Sequence, residues 1–542
     1  MSIQNKRSAI LFPLILALVL IIGMFIGVKL SRSEISERLL IYPKADKVNN
    51  VLNLIEDSYV DSVSRDKLEE TAIESILRKL DPHSVYISAS EFQEMNEPWE
   101  GNFSGIGIQF NMQNDTVIIV SVIINGPSDK AGLKAGDRIV KVNDTIVAGV
   151  KSTNANIIKK LKGKKGSSVK ISVKRIGFAT LFNFKITRDK IPLNSIDAAY
   201  MITPQTGYIR VNKFARTTYD EFIAAIKRLH EAGMKKVIID LRGNGGGILE
   251  TAIKMADQFL DDRQLIVYTE GRSRPRSNSY STPGGECLHD SVVVILDETS
   301  ASASEVFAGA IQDNDRGWVV GRRSFGKGLV QEQSLLPGGA AIRLTIARYY
   351  TPSGRCIQKP YKGNANYYEE VHNRFLHGEM EKVDSIKFND SLKFVTHKGR
   401  VLYGGGGIMP DFFVPVDTSE FSEYYYHIRE KGLIYQYAFY YSDANRTALS
   451  KFKNYKDMVK YLKKKNVFDK FVKYADDHGV KKNANDIKIS ATFLQTDIEA
   501  YIARNFFDNA GFYPIINSID NAVLKAVDLW GDEKITKVHK EK

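Results

Sequence analysis

Three short apolar segments in the middle of the chain each run directly into a loop with unusual composition. Residues 236–241 lead into a glycine cluster, residues 292–296 into alternating serines, and residues 318–321 into a lysine between two glycines. Helical patterns separate the segments, and this alternation predicts parallel strands with crossover helices. The loops should then meet at one edge of the sheet, where sites form. We therefore predict an α/β core with a mostly parallel sheet in residues 188–416.

The glycine-rich loop reads Asp-Leu-Arg-Gly-Asn-Gly-Gly-Gly from Asp240 to Gly247. Its backbone N–H groups can point at an anion, because glycine adopts the required dihedral angles and a helix begins near Ile248. One interpretation is a phosphate loop, although the spacing fits neither the dinucleotide nor the Walker pattern. The other is an oxyanion hole for a carbonyl oxygen that becomes negatively charged during a reaction.

The other two loops offer a nucleophile and a base. Three serines, Ser300, Ser302 and Ser304, precede an Ala-rich helix that ends near Asp313. A serine at a strand-to-helix turn can be a nucleophile, whereas a Ser-x-x-Glu stretch taken alone is more often a helix cap than a catalytic site. Lys327 can act as a general base where burial lowers its pKa, or can be a surface lysine in a flexible loop.

The N-terminus carries Lys6 and Arg7, followed by twenty uncharged residues from Ala9 to Val28. This length just crosses a bilayer as a helix, so we expect a transmembrane anchor in residues 1–30, with a long signal peptide as the alternative. The basic pair predicts that the N-terminus is cytoplasmic and that the rest of the chain lies outside the cytoplasm.

The remaining regions divide by pattern. Residues 31–99 are predicted as an N-terminal helical segment, residues 100–187 as a compact β-rich module, and residues 417–542 as a Lys-rich helical region. The formal net charge is +13, and residues 151–190 alone hold twelve Lys and Arg against a single acid, Asp189. Only two cysteines occur, which excludes a disulfide scaffold and a Cys-rich metal site, while pairing of Cys287 with Cys356 stays open.

The loops and several further motifs together resemble the carboxy-terminal processing peptidases, or tail-specific proteases, a family of serine endopeptidases with a Ser-Lys catalytic pair. The further motifs are LDPHS at residues 80–84, FSGIGI at 103–108, YYTPSGRCIQ at 349–358 and GGIMPD at 406–411. The resemblance implies a nucleophile at Ser302, a base at Lys327 and an orienting amide at Gln331. It also implies a supporting acid at Asp313 and an oxyanion hole built from Gly246, Gly247 and Ala303, with no metal or other cofactor.

The β-rich module of residues 100–187 resembles the PDZ domain that this family inserts before its protease core. The resemblance implies a carboxylate-binding loop formed by Gly105, Ile106, Gly107 and Ile108. A substrate C-terminus would add to the domain as a β-strand, with its last side chain in an apolar groove. A helix carrying Ile157, Ile158 and Leu161 would form the other wall, unless these residues are only the core of the module.

We therefore expect a single-pass protein of the cell membrane that recognises apolar C-termini of protein substrates through its PDZ domain and cleaves them outside the cytoplasm, in the periplasm of a Gram-negative cell. No nucleic-acid partner is expected, and a homo-oligomer or an adaptor is left open. Two rivals remain: a catalytically inactive PDZ scaffold, and a His-dependent hydrolase using His83 or His289. The basic segment, residues 151–190, is read as a face for anionic partners or as solvated surface.

Overall fold

The computed structural model describes residues 16–25, 46–113, 115–361, 367–386 and 389–531. The chain divides into two compact units, residues 1–79 and 80–542. In the first unit, residues 16–25 are helical, and two amphipathic helices follow, α1 (Lys47–Ser58) and α2 (Arg65–Arg78). Arg65 at the start of α2 forms ion pairs with Glu56 of α1 and with Glu69 one turn on.

Within the described ranges, the structure contains no helix with the length and apolarity needed to cross a membrane. The predicted span runs from Ala9 to Val28, and its residues 9–15 and 26–28 lie outside those ranges. The anchor therefore stays a prediction.

The larger unit begins with β1 and α3 and continues into the β-rich module. The elements are β1 (Val85–Ile87), α3 (Ala89–Glu100), β2 (Asn102–Gly105), β3 (Ile108–Gln113), β4 (Thr116–Val122), α4 (Pro127–Ala131), β5 (Arg138–Val142), β6 (Thr145–Ile146), α5 (Asn154–Leu161), β7 (Ser168–Lys174), β8 (Leu181–Thr187) and β9 (Asp189–Pro192). Strands β3, β4, β5, β7 and β8 form an antiparallel sheet with β6 beside β5, and β2 pairs with β9. Strand β3 lies at an edge of its sheet, so one side of it has no partner strand among the described residues.

The core region follows with alternating strands and helices. Its elements are β10 (Ile196–Met201), β11 (Thr206–Val211), α6 (Thr218–Glu231), β12 (Lys236–Asp240), α7 (Leu249–Asp257), β13 (Leu265–Gly271), β14 (Arg274–Tyr280), β15 (Ser291–Leu296), α8 (Ala303–Asp313), β16 (Trp318–Gly321), β17 (Leu329–Leu335), β18 (Ala341–Tyr350), α9 (Glu369–Leu376), β19 (Lys393–Val395), β20 (Val401–Tyr403) and β21 (Phe412–Phe413).

The first sheet of the core has the order β10-β11-β12-β15-β16-β21, and every pair except β10–β11 is parallel. Its strands are apolar on both faces, as expected for a sheet covered on each side. Ile239 and Val294 face a core shared with α6, α7 and α8, whereas Ile238 and Val293 face the opposite side. The prediction of a parallel sheet is confirmed for β11, β12, β15, β16 and β21, whereas β10 is antiparallel to its neighbour.

The second sheet corrects the prediction of a single, mostly parallel sheet. Its order is β1-β18-β13-β14 with β17 also beside β18, and every pair is antiparallel. The physical reason lies in the connections: β13–β14 and β17–β18 are joined by short turns, and a short turn can join only antiparallel strands. This sheet carries Gln331, on β17.

The C-terminal region is helical, as predicted. Its helices are α10 (Glu423–Glu430), α11 (Leu433–Ala444), α12 (Arg446–Leu449), α13 (Tyr455–Lys464), α14 (Val467–Asp477), α15 (Ala484–Ile489), α16 (Ala491–Ile516) and α17 (Asn521–Asp528). Helices α10–α16 share an aromatic-rich core of their own. Helix α17 instead packs on the parallel sheet, where Val523 and Val527 cover the face that Ile238 and Val293 present. The sequence pattern gave no signal for this role.

Candidate active site

An open cavity of about 840 Å³ lies where the three predicted loops meet. Ser302, Ala303, Lys327, Gln331 and Gly247 all line it, together with residues of α3, β2 and β17. Five of the residues singled out from the sequence therefore share one cavity. The parallel sheet explains why, since the loops after β12, β15 and β16 leave it at the same edge.

Ser302 precedes α8 in a backbone conformation that is rare for any residue other than glycine, with φ 56° and ψ −114°. Such a conformation costs about 1–3 kcal/mol and persists only where neighbours enforce it. Its N–H donates to a carboxylate oxygen of Glu305 at 2.8 Å, and its carbonyl oxygen accepts from the Tyr349 hydroxyl at 3.1 Å. A strained serine at a strand-to-helix turn is the geometry in which a hydroxyl is presented to a substrate.

Glu305 is a fully buried carboxylate that joins the serine loop to the lysine loop. It accepts hydrogen bonds from the backbone N–H groups of Ser302, Gly326 and Lys327 and from the hydroxyl of Ser324. Burial raises its pKa to about 7, although these four donors favour the ionised form. The sequence analysis treated Glu305 only as a helix-cap residue. That Ser-x-x-Glu signal was correct for the local structure but did not reveal the link between the two loops.

Lys327 is held in a largely buried position beside the cavity. Burial lowers its pKa, the positive charge of Arg343 lowers it further, and Glu305 and Asp81 act in the opposite direction. The hydroxyl of Tyr349 donates to the carbonyl oxygen of Lys327 as well as to that of Ser302. A buried lysine with a lowered pKa can be neutral at moderate pH and can then accept a proton.

The two glycines proposed for the oxyanion hole differ in their environment. The N–H of Gly246 donates to the side-chain oxygen of Asn244 at 2.9 Å, and a β-carbon on Gly246 would lie 2.7 Å from the carbonyl oxygen of Ala301. Gly247 lines the cavity with Ala303, and Gly246 is not among the lining residues. The geometry therefore favours the N–H groups of Gly247 and Ala303 as the donors, with Gly246 permitting the close approach.

A buried ionic network lies at the end of β12, where the glycine loop begins. Asp240 is fully buried and accepts from the Tyr208 hydroxyl and from the guanidinium groups of Arg210 and Arg242. Burial alone would raise the pKa of Asp240, but the two guanidinium groups hold it well below the usual range. Arg242 also forms an ion pair of 2.8 Å with Asp520, the N-cap residue of α17. The C-terminal region thus contacts the support of the candidate site.

Of two further residues that the resemblance placed at the site, the structure brings one to the cavity and places the other away from it. Gln331 lines the cavity, and its side-chain amide donates to the hydroxyl of Thr345 at 3.3 Å. Asp313 lies at the opposite end of α8 from Ser302, in a fully buried ion pair with Arg355 at 2.7 Å. The ion pair, together with a hydrogen bond that the Ser353 hydroxyl donates to Asp313, indicates a structural role for this residue.

The histidines considered as an alternative base do not line the cavity. His83 contacts the hydroxyl of Tyr367 at 3.2 Å, and burial together with the nearby charge of Lys327 lowers its pKa to about 4. His289 is exposed. Both cysteines are unpaired: Cys287 is buried and Cys356 is half-buried. Among the described residues, no group of three or more potential ligands is arranged to bind a metal ion.

The predicted carboxylate-binding loop lies between β2 and β3. The carbonyl oxygens of Ile106 and Gly107 accept from Ser128 and Ile123, respectively, and Ile106 is buried. In α5, Ile157 and Leu161 belong to the core of the module. Of the three apolar residues considered for the groove wall, only Ile158, with 42% of its surface exposed, is accessible to a ligand. The interpretation of these residues as module core was therefore correct for two of the three.

Four family profiles match parts of the chain. They are "Peptidase family S41" at residues 205–363, "PDZ domain" at 104–186, "Activating protease CtpB N-terminal domain" at 27–91, and a family of unknown function at 424–508. The S41 match contains Ser302 and Lys327, and the PDZ match contains most of the module described above.

Curated proteins that are similar to this chain include two bacterial proteases. The carboxy-terminal processing protease CtpB of Bacillus subtilis is 35% identical over 317 residues, which are 58% of this chain and 65% of that protein. The carboxy-terminal-processing protease of Bartonella bacilliformis is 34% identical over 322 residues, 58% of this chain and 73% of that protein. A solved structure, the photosystem II D1 C-terminal processing protease, is 24% identical with a TM-score of 0.35 and covers 69% of this chain and 93% of that one. This chain belongs to the carboxy-terminal processing proteases of peptidase family S41.

Proposed function

We propose that the protein is a serine endopeptidase in which Ser302 is the nucleophile and Lys327 the general base. The observation that carries the proposal is that a strained serine, a largely buried lysine and two residues with candidate donor N–H groups, Gly247 and Ala303, line one cavity. Neutral Lys327 takes the proton of the Ser302 hydroxyl as its oxygen attacks the scissile carbonyl carbon. The N–H groups of Gly247 and Ala303 stabilise the negative charge on the carbonyl oxygen.

The same lysine then returns its proton to the leaving amine, which leaves the acyl group esterified to Ser302. In the second half of the reaction, Lys327 takes a proton from a water molecule as the water oxygen attacks the ester. The lysine then returns this proton to the Ser302 oxygen as the bond to the acyl group breaks, which releases the acid product and restores the serine hydroxyl and the neutral lysine. Gln331 would orient the lysine through its side-chain amide. Apart from the substrate and this water molecule, the steps use residues of this chain.

We further propose that the PDZ domain presents the C-terminus of a protein substrate to this cavity. The edge strand β3 offers free backbone groups to an extended peptide, and the loop of residues 105–108 leads directly into it. Residues of β2 line the active-site cavity, so the module is attached at its rim. The apolar segment 9–28 would anchor the chain in the cell membrane with the catalytic part outside the cytoplasm.

The test compares wild-type protein with Ser302→Ala and Lys327→Ala, using a protein substrate that ends in an apolar tail. We expect cleavage by wild type and a loss of at least about a thousandfold in kcat for each variant, since each removes a group that acts in the transition state. Full activity of either variant would contradict the assignment. Binding of tail peptides by wild type without cleavage would instead favour a PDZ scaffold.

A further inference from the structure

A chain of hydrogen bonds leads from the Leu-Asp-Pro-His-Ser segment to the side of the active-site cavity. Gln331 and Thr345 face each other across β17 and β18, next to a β-bulge at Val330 and Gln331. A bulge turns a side chain away from its regular direction and often occurs beside active sites. The amide nitrogen of Gln331 donates to the Thr345 hydroxyl at 3.3 Å.

The same hydroxyl donates to a carboxylate oxygen of Asp81 at 3.1 Å. Asp81 also accepts from the backbone N–H groups of His83 and Ser84 at 2.7 and 2.8 Å and from the Ser84 hydroxyl at 2.6 Å. The Ser84 oxygen in turn accepts from the backbone N–H of Thr345 at 3.1 Å. Asp81 and Ser84 are both buried, so these hydrogen bonds link Asp81, Ser84 and Thr345 of β18 in a ring that is shielded from water.

The direction of each bond follows from the chemistry of the groups. An ionised carboxylate can only accept, so the single hydroxyl proton of Thr345 is used on Asp81. The Thr345 oxygen can then only accept from Gln331, which requires the NH₂ group of the amide to face it. The amide oxygen of Gln331 must point the other way. A glutamine is symmetrical in shape, and only its hydrogen-bond partners decide which end carries the oxygen.

We propose that Asp81 and Thr345 are positioning residues that fix the direction of the Gln331 amide, so that its oxygen is the acceptor offered to Lys327. The inference rests on the proposed function, because it gives the Gln331–Lys327 contact its polarity. A lysine that donates to this oxygen has its lone pair held in one direction for the proton of Ser302. With the amide reversed, an NH₂ group would face the lysine and repel it.

The charged and titratable groups around Lys327 determine its pKa and therefore the pH at which kcat rises. Arg343 on β18 lowers the pKa of Lys327, while Glu305 on α8 and Asp81 raise it, and Lys327 in turn lowers the pKa of His83. An acceptor for the ammonium group favours the charged form. Loss of a correctly directed Gln331 oxygen should therefore lower the pKa of Lys327 and move the rising part of the kcat profile to lower pH.

The test uses the full chain with Thr345→Val and Thr345→Ser. Valine keeps the branched shape and removes the hydroxyl, whereas serine keeps the hydroxyl. We expect Thr345→Val to lower kcat by about tenfold or more with little change in KM, and to shift the profile to lower pH. Thr345→Ser should restore most of the activity and the wild-type profile. Ser334 is exposed on β17 and does not line the cavity, so Ser334→Ala is the control for a substitution in this sheet that leaves the Gln331 contacts unchanged.

Asp81→Asn provides a second arm, since an amide can donate as well as accept and no longer fixes the direction of the Thr345 hydroxyl. It should lower kcat at least as much as Thr345→Val does. Wild-type kcat and pH profile in Thr345→Val, or equal losses in the valine and serine variants, would overturn the proposal. Either result leaves the Ser302 and Lys327 assignments intact, because those are judged by the loss of activity in their own alanine variants.

Discussion

Glu305, in the first turn of α8, joins Ser302 and Lys327 into one unit although these two residues lie in different loops. Glu305 accepts from the N–H groups of both Ser302 and Lys327, and Tyr349 donates to the carbonyl oxygens of both. The two reacting residues are therefore held through their backbones, which leaves their side chains free to face the cavity. Because catalytic geometry is sensitive to small displacements, holding the backbone is an effective way to position a nucleophile and its base.

The pH dependence of activity is a prediction at this scale. Lys327 must lose a proton to act as the base, so kcat should rise with pH as the pH passes through its lowered pKa. Arg343 contributes to the lowering, so Arg343→Gln should raise the pKa of Lys327 and shift the rising limb to higher pH. Arg343→Lys keeps the charge and should shift it less. Profiles of kcat for the three proteins test this, and a shift to lower pH in Arg343→Gln would contradict it.

At the scale of the element, the glycine loop and the start of α8 fit against each other. Gly246 has φ +100°, and a β-carbon there would lie 2.7 Å from the Ala301 carbonyl oxygen and from the Ser302 β-carbon. Gly245 precedes it, and a β-carbon at that position would meet no atom within 4 Å. Steric contact therefore requires glycine at position 246 but not at position 245.

Alanine substitutions at these two glycines distinguish the effect of close packing from the effect of loop flexibility on kcat and on stability. Gly246→Ala should lower kcat by about a hundredfold or more, because the loop must move away from Ser302 and Ala303 and so displaces an oxyanion donor. It should also lower the free energy of unfolding by about 1–3 kcal/mol through backbone strain. Gly245→Ala is the matched control and should stay close to wild type in both measurements. Similar kcat values for the two variants would argue against this account of the loop.

At the scale of the whole molecule, the C-terminal region contributes to the support of the site. Helix α17 covers one face of the parallel sheet, and its N-cap residue Asp520 pairs with Arg242 beside the glycine loop. A second contact joins the PDZ module to this region through Arg138 and Asp443 at 2.6 Å. The C-terminal region therefore contacts both the catalytic core and the PDZ module, and we expect stability and activity to be coupled across the contact with the core.

Asp520→Ala tests this coupling. The change removes a helix cap and one partner of the Arg242 guanidinium, so the free energy of unfolding should fall by about 1–3 kcal/mol. We also expect a lower kcat, because Arg242 adjoins the glycine loop. Asp528→Ala, at the exposed C-terminal end of the same helix, should have little effect on either quantity. Urea unfolding and kcat measurements on both variants provide the test, and indistinguishable variants would refute the coupling.

The sequence by itself determined the parallel strands, the three loops that follow them and the positions of Ser302, Lys327 and the glycines. Those features depend on local patterns, since apolar runs, glycines and helix starts are readable within about ten residues. The tertiary structure decided what depends on distant segments. It made the second sheet antiparallel, placed Asp313 in an ion pair with Arg355, turned Glu305 into the link between two loops, and brought Asp520 to Arg242. It also brought Asp81 within hydrogen-bonding distance of Thr345, 264 residues later in the chain. A local pattern specifies which groups a loop carries, whereas the partners of buried polar groups are fixed only when the whole chain packs.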